Sequence, residues 1–260
     1  MAESSLSIDY SELTQEVAYF LGYGRTTSLD TDQKADVDSC IKSGLSQFYN
    51  PPKISPQQPR HKWSFLYPVA TLDTVSGTAE YTMPDDFAGI GQPFTFEPNK
   101  TCNPVTLTSI NQIHKHQQLS EAKGTPALAA VVPVKGTGSS GQRWKVIFYP
   151  TPDKAYTLTY TYYVLLDMLT DLSPYPYGGA QHRETILESC LSIAESRIDD
   201  GVTGKEHYNR FISCLSASIA QDREVNSPEW LGYAADGSVD LNKDRRLHTR
   251  PIIRYNGVEI

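Results

Sequence analysis

Apolar residues in the first fifty positions recur every three or four places, the spacing of amphipathic helices. Leu13, Val17, Phe20 and Leu21 share one face, behind Asp9 and Glu12 in capping-box spacing. Gly22 and Gly24 end that helix. Ser28 to Asp32 supplies capping side chains and first-turn acids for a second helix, on which Val37, Ile41, Leu45 and Phe48 align until Asn50-Pro51-Pro52 stops it. After a proline-rich connector the period changes. Lys62 to Tyr67 is aromatic, Gly77 to Met83 reads as a turn and a short strand, and Phe94/Phe96 and Val105/Leu107 alternate. Ala127 to Val134 and Arg143 to Pro150 are strand-like, and in Tyr156 to Tyr163 the residues Tyr156, Leu158, Tyr160 and Tyr162 face one side with threonines opposite. Within this region only Ile110 to Leu119 has helical character. Beyond Pro174 and Pro176 the helical period returns, with Ile186, Leu187, Cys190, Leu191, Ala194 and Ile198 on one helix. A second helix, starting near Thr203 or Gly204, carries Tyr208, Phe211, Ile212, Leu215 and Ile219.

The pattern predicts an α+β fold in which N- and C-terminal helices form a helical bundle around an inserted all-β, small sandwich-like domain. The expected boundaries are 1–58 for the N-terminal helices, 59–168 for the β-rich insertion, 169–226 for the helical hairpin and 227–260 for an extended C-terminal tail. The tail is unusual. Pro228, Gly232, Gly237, Pro251 and Gly257 forbid a long helix, yet Trp230, Leu231, Tyr233, Ile252, Ile253 and Tyr255 are too apolar for a solvated linker. Between Lys243 and Arg254 there are five basic residues and one acid. Holding such a segment costs about 1–2 kcal/mol per residue in backbone entropy. It must wrap its own domain or dock on a neighbouring subunit or another acidic partner, and the clustered Arg245, Arg246, Arg250 and Arg254 favour docking.

Charge and composition narrow the function. A net charge of −7 argues against wrapping nucleic acid, which requires Lys and Arg to displace counterions. Sixteen tyrosines against eight phenylalanines suit half-buried sheet faces and subunit interfaces. No stretch reaches the roughly 18–20 apolar residues of a membrane span, and the N-terminal residues lack the features of a secretory signal. Cys40, Cys102, Cys190 and Cys214 are too scattered for a disulfide scaffold and read as buried thiols in a reducing compartment.

No constellation of catalytic residues emerges. Gly136-Thr-Gly138-Ser-Ser-Gly141 matches a dinucleotide fingerprint, but a strand follows it where the pyrophosphate needs a helix N-terminus, so it reads as a hairpin loop. His114 and His116 point to different faces on a helix; on a strand they could share a face and a metal, but no Cys, Asp or Glu stands at a useful spacing. Asp85 and Asp86 follow Pro84 and read as turn formers, since adjacent residues on an extended chain project to opposite sides. There is no nucleophile elbow. No catalytic, cofactor-binding or metal-ligating residue is assigned.

The order of local patterns resembles the head-to-tail adaptor (connector) proteins of tailed bacteriophages. The resemblance rests on Gln47-Phe-Tyr-Asn-Pro-Pro52 closing a helix pair, Trp63-Ser-Phe65-Leu66, and Tyr81-Thr-Met-Pro84-Asp-Asp86-Phe87. It continues with Tyr149-Pro150-Thr-Pro152 ahead of the Tyr/Thr strand, and a helix opened by His182-Arg-Glu and carrying Ala194-Glu195. Together these span roughly residues 10 to 225. The resemblance implies a structural virion protein at the head–tail junction, assembled in the host cytoplasm and without enzymatic activity or cofactor. Copies would form a twelve-membered ring below the portal protein, with a downstream tail or nozzle protein beneath and no membrane involved. The ring would link the DNA-filled capsid to the tail, and DNA would pass through its channel without specific binding. The C-terminal segment would lodge against the portal or a neighbouring subunit, through Trp230, Tyr233, Arg245, Arg246, Arg250, Ile252, Ile253, Arg254 and Tyr255. Three other readings stay open: another tail-tube, stopper or fibre-anchoring ring protein, a carbohydrate-binding β module, and a hydrolase whose site forms only in three dimensions. The sugar-binding reading requires an exposed Trp63 or Trp144 on a concave sheet. The adaptor reading places Trp63 where the insertion joins the helices.

Overall fold

A computed structural model describes residues 3–26, 28–54, 59–98, 102–136, 141–198, 206–226, 254–255 and 258–259. The chain divides into two units, residues 1–219 and 220–260. In the first, helix α1 (Tyr10–Phe20) begins where the Asp9 carboxylate accepts the Glu12 amide at 2.7 Å. Gly22, at φ 85°, takes the left-handed conformation that a side chain would disfavour just past its end. Helix α2 (Thr31–Tyr49) opens with a full capping box between Asp30 and Gln33. Both helices bury the faces expected of them: Leu13 and Val17 on α1, and Val37, Ile41, Leu45 and Phe48 on α2.

The β-rich region follows as β1 (Val69–Asp73), β2 (Glu80–Thr82), β3 (Phe87–Phe96), β4 (Thr106–Leu107), helix α3 (Ile110–Leu119), β5 (Lys123–Gly124), β6 (Leu128–Val134), β7 (Arg143–Tyr149), β8 (Thr151–Pro152) and β9 (Thr157–Val164). One sheet has the order β1-β9-β3, a second β2-β7-β6-β4, and β5 and β8 form a short parallel pair. The two larger sheets contribute to one core, in which Phe94 lies 5.2 Å from Phe148 and 4.8 Å from Tyr160, ring centre to ring centre. Strand β9 alternates strictly, burying Leu158, Tyr160, Tyr162 and Val164. Helix α3 packs Ile113 against Ala130 of β6 and Ile147 of β7. Antiparallel pairing runs out to Val134↔Arg143, so the glycine-rich stretch links two strands of a hairpin; residues 137–140 lie outside the described ones. Asp85 pairs with Arg143 at 3.0 Å, and Asp86 accepts the Tyr162 hydroxyl at 3.2 Å. Strand β1 has no counterpart among the sequence expectations. Only Ala70 and Leu72 mark its inner face, too faint a period to register.

The β-rich region is anchored at the C-terminus of α2. Pro51 and Pro52 cannot continue the helix, which leaves its last carbonyls without intrahelical donors. Asn50 supplies two donors to the Ser46 carbonyl, backbone at 3.0 Å and side chain at 3.3 Å. The Trp63 indole donates to the Phe48 carbonyl at 2.8 Å, and the Tyr163 hydroxyl to that of Tyr49 at 3.4 Å. Trp63 precedes β1 and Tyr163 lies at the end of β9, so both ends of the region close on one helix terminus. Trp63 is wholly buried, 4.8 Å from the Phe48 ring. Its neighbours form a short 3-10 turn, Ser64–Leu66, and not a strand. The turn stacks positions three apart, which lets Trp63 and Leu66 both face the helical core.

Helices α4 (Arg183–Ile198) and α5 (Glu206–Asn226) return to α1 and α2, and the four share a core that includes Ile186, Cys190, Ala194, Phe211 and Leu215. Arg183 pairs with Glu12 of α1. Helices α2 and α4 approach unusually closely: a Cβ on Gly44 would lie 2.5 Å from the Cys190 Cα, and Ser189 donates its hydroxyl proton to the Gly44 carbonyl at 2.7 Å. The predicted apolar stripe of α4 needs correction at its end, because Ile198 is 55% exposed. The second unit holds the end of α5 and an antiparallel hairpin of β10 (Arg254–Tyr255) and β11 (Val258–Glu259), which was not expected from sequence.

Gly44→Ala separates two physical effects. Helix propensity alone favours Ala by about 1 kcal/mol, whereas backbone overlap with α4 costs about 1–3 kcal/mol. A net loss of stability in urea unfolding is expected, and a gain would mean that the helices are not in contact there. Trp63→Phe leaves the Phe48 carbonyl without its indole donor and is expected to cost about 3 kcal/mol in the same assay. Burial also pushes the Cys190 thiol from its ordinary 9.0 up to about 12, and the Tyr160 hydroxyl from 10.0 up to about 12. Burial raises Tyr10, Tyr49 and Cys40 as well. Each of these groups holds its proton more tightly when folded, so their contribution is complete below the unfolded pKa and is lost as pH rises through the folded one. The urea midpoint should therefore stay level up to about pH 8.5 and fall steadily above it. Cys190→Ala should flatten the earliest part of that fall.

Candidate assembly interface

Of the nine tail residues assigned to partner binding, Trp230, Tyr233, Arg245, Arg246, Arg250, Ile252 and Ile253 lie outside the described residues. Arg254 and Tyr255 form β10. The hairpin places these two residues opposite Glu259 and Val258. What the first unit adds is a set of surfaces and a polar cluster that periodicity did not reveal.

The connector from β9 to α4 carries exposed apolar side chains. Leu165, Leu172, Tyr175 and Tyr177 all face solvent, Leu172 completely. The tip that presents Leu172 is closed by reciprocal backbone hydrogen bonds between Thr170 and Ser173, at 3.2 and 3.0 Å. Its base is held where Pro174 accepts the Tyr10 amide at 2.8 Å and where the Tyr49 hydroxyl accepts the Tyr177 amide at 2.9 Å. These apolar side chains stand on a loop that is pinned at its tip and its base.

Helix α4 buries two carboxylates, Glu188 and Glu195, which an apolar-period reading passes over. Glu195 accepts the backbone amides of Glu206 and His207, both at 3.1 Å, and so serves as the N-terminal cap of α5 from a different helix. Glu188 accepts from His207 Nδ1 at 2.7 Å and from Arg210 at 3.1 Å. The Phe20 ring of α1 meets the His207 ring edge-on at 4.9 Å. These acids are fully engaged in joining α4 to α5. The signal that could have revealed them is a pair of glutamates two turns apart on one face, beside an otherwise apolar stripe.

Between the end of α2 and the end of β9 lies an open cleft of about 290 Å³, lined by Lys42, Leu45, Ser46, Tyr49 and Asn50 and by Tyr163 to Met168. It is small for a ligand site. His114 is exposed on α3, while His116 stacks on Tyr149 at 5.3 Å. Cys40 and Cys190 are buried as expected, whereas Cys102 and Cys214 are only partly so. Among the described residues no three of His, Cys, Asp and Glu gather as a metal site, and no helix is long and apolar enough to cross a membrane. Neither described tryptophan offers a sugar platform. Trp63 is buried at the junction, and Trp144 is half-buried with its ring 6.1 Å from Phe87.

No curated protein matches the chain. Residues 8–231 match the SU10 adaptor protein family. That span takes in both helix pairs, the whole β-rich region and the Trp63 junction, and it stops before the basic part of the tail. With so much of its length accounted for, the chain belongs to the SU10 adaptor proteins, a family of phage head-to-tail adaptors.

Proposed function

We propose that copies of this chain form a ring beneath the portal protein of a tailed phage and join the capsid to the tail. In this reading the N- and C-terminal helices make a bundle, the β region projects from it as a small sandwich, and the tail from Ser227 reaches the portal. Family membership over residues 8–231 is the observation that carries the proposal. The tail adds to it: five basic residues and one acid lie between Lys243 and Arg254, in a chain of net charge −7. A basic arm on an acidic subunit has electrostatic reason to engage an acidic partner, while the acidic remainder resists adhesion of passing DNA. Trp230 and Tyr233 supply aromatic anchors of the kind that dominate interface energetics. The buried carboxylates of α4 are engaged in helix joining and not in chemistry, in keeping with a structural role. Within the virion, portal above and tail or nozzle protein below would be the partners.

Deleting Trp230 to Ile260 is expected to abolish co-sedimentation with portal rings while leaving the urea midpoint of the remaining protein unchanged. Truncated protein that binds portal at full affinity would refute the tail's role. Imaging the full chain with portal should show a closed ring of copies, and a single bound copy would refute the ring.

A further inference from the structure

The two sheets of the β-rich region expose four edge strands, and three are blunted. Strand β3 is interrupted by three register shifts, contains Pro93, and its Phe94 carbonyl already accepts the Val105 amide at 2.9 Å. Strand β2 has three residues and β4 two. Broken, short or covered edges resist pairing with another chain. Strand β1 has none of these protections. Its five residues pair with β9 in unbroken register, from Val69↔Thr161 to Asp73↔Thr157, without proline, lysine or bulge. Bonded pairs alternate along an antiparallel ladder. Pro68 accepts the Tyr162 amide and Thr74 donates to Tyr156, so Ala70 and Leu72 face β9. The amides and carbonyls of Val69, Thr71 and Asp73 therefore point away from the sheet. Val69 is 68% exposed, and Thr71 and Asp73 are exposed too.

The second unit supplies the complementary feature. Among the described residues the two strands pair over two residues each, and a pair this short gains stability from a further strand. Ile252 and Ile253 precede β10 and continue its strand-forming composition. Arg254 brings positive charge to an edge that ends in Asp73. Between Asn226 and Arg254 run 27 residues, enough to span about 90 Å if extended. A compact body of some 220 residues has a radius of gyration of about 17 Å, so this length allows the hairpin to cross onto another copy.

We infer that the β1 edge is a docking site for the C-terminal hairpin of a second copy of this chain, which adds to the sheet as further strands. This rests on the ring reading above and gives it a copy-to-copy bond. It also divides the tail's work: Trp230 to Arg250 engage the portal, and Ile252 to Ile260 clamp the neighbour. Such contacts are heterologous, because edge and hairpin are different surfaces, and repetition around an axis closes a ring.

Amide hydrogen exchange on the full-length chain, over a range of concentrations and with portal rings added, reads the outward amides directly. Exchange at Val69, Thr71 and Asp73 is expected to slow by about tenfold or more as copies associate, and deleting Pro251 to Ile260 should remove the slowing. Thr71→Pro deletes one outward donor and leaves the β9 ladder intact. It should abolish association without loss of the near-ultraviolet circular dichroism of the folded protein. Three results would overturn the inference: no slowing under any condition, slowing independent of concentration (the chain's own tail), or slowing that survives the deletion (a portal strand or another occupant). Images of the same samples keep the two proposals apart. Rings that persist in a folded Thr71→Pro protein defeat the edge and not the ring, whereas protected edges without rings defeat the ring.

Discussion

The C-terminus of α2 is the point on which the rest of the first unit depends. Two consecutive prolines end the helix and leave carbonyls that must find donors in a largely buried setting. Those donors come from far along the chain: Trp63 from just before the β-rich region, and Tyr163 from its last strand. A hydrogen-bonding debt at one helix end is thereby settled by both ends of a hundred-residue insertion. The arrangement gives the helices and the sheets a common anchor, whatever the sheets later contact.

Close approach of α2 and α4 adds a second constraint. Glycine at position 44 and the small side chains of Ser189 and Cys190 let the two backbones meet, with the serine hydroxyl bonded to the glycine carbonyl. Helix α4 then faces α5 through polar groups. Glu195 caps the first turn of α5, Glu188 holds His207 and Arg210, and Thr185 meets Ser218 at 2.7 Å. Buried polar groups of this kind are costly when unmatched and fix orientation when matched. The hairpin of helices is thus set by hydrogen bonds as much as by apolar packing.

An adaptor must hold a fixed body and still offer bonding surfaces to several neighbours. The structure divides those demands. Alternation in β9 and the aromatic contacts between sheets make a stiff β core, while the pinned Leu172 loop and the unblunted β1 edge leave bonding capacity at the surface. Edges of this sort are a hazard for a solitary protein and a bonding surface for one that is built into an assembly.

Elements whose signals are local can be read from the chain alone. Capping at Asp9 and Asp30, the apolar faces of α1 and α2, the short helix α3 and the alternation of β9 are all legible because each depends on residues a few positions apart. The motif order through Trp63, Tyr81 to Phe87 and His182 also carried the family, and the absence of a helix after the glycine-rich stretch excluded a dinucleotide site. The remainder depends on contacts between distant segments. Strand β1 has too few apolar residues to declare itself and exists because β9 offers a ladder. The segment after Trp63 turns as a 3-10 helix because two of its side chains must enter the helical core. Glu188 and Glu195 contradict their own hydrophobic periodicity, and their burial follows from donors on the next helix, α5. Periodicity reports which face is apolar. It cannot report which distant group will supply the missing hydrogen bond.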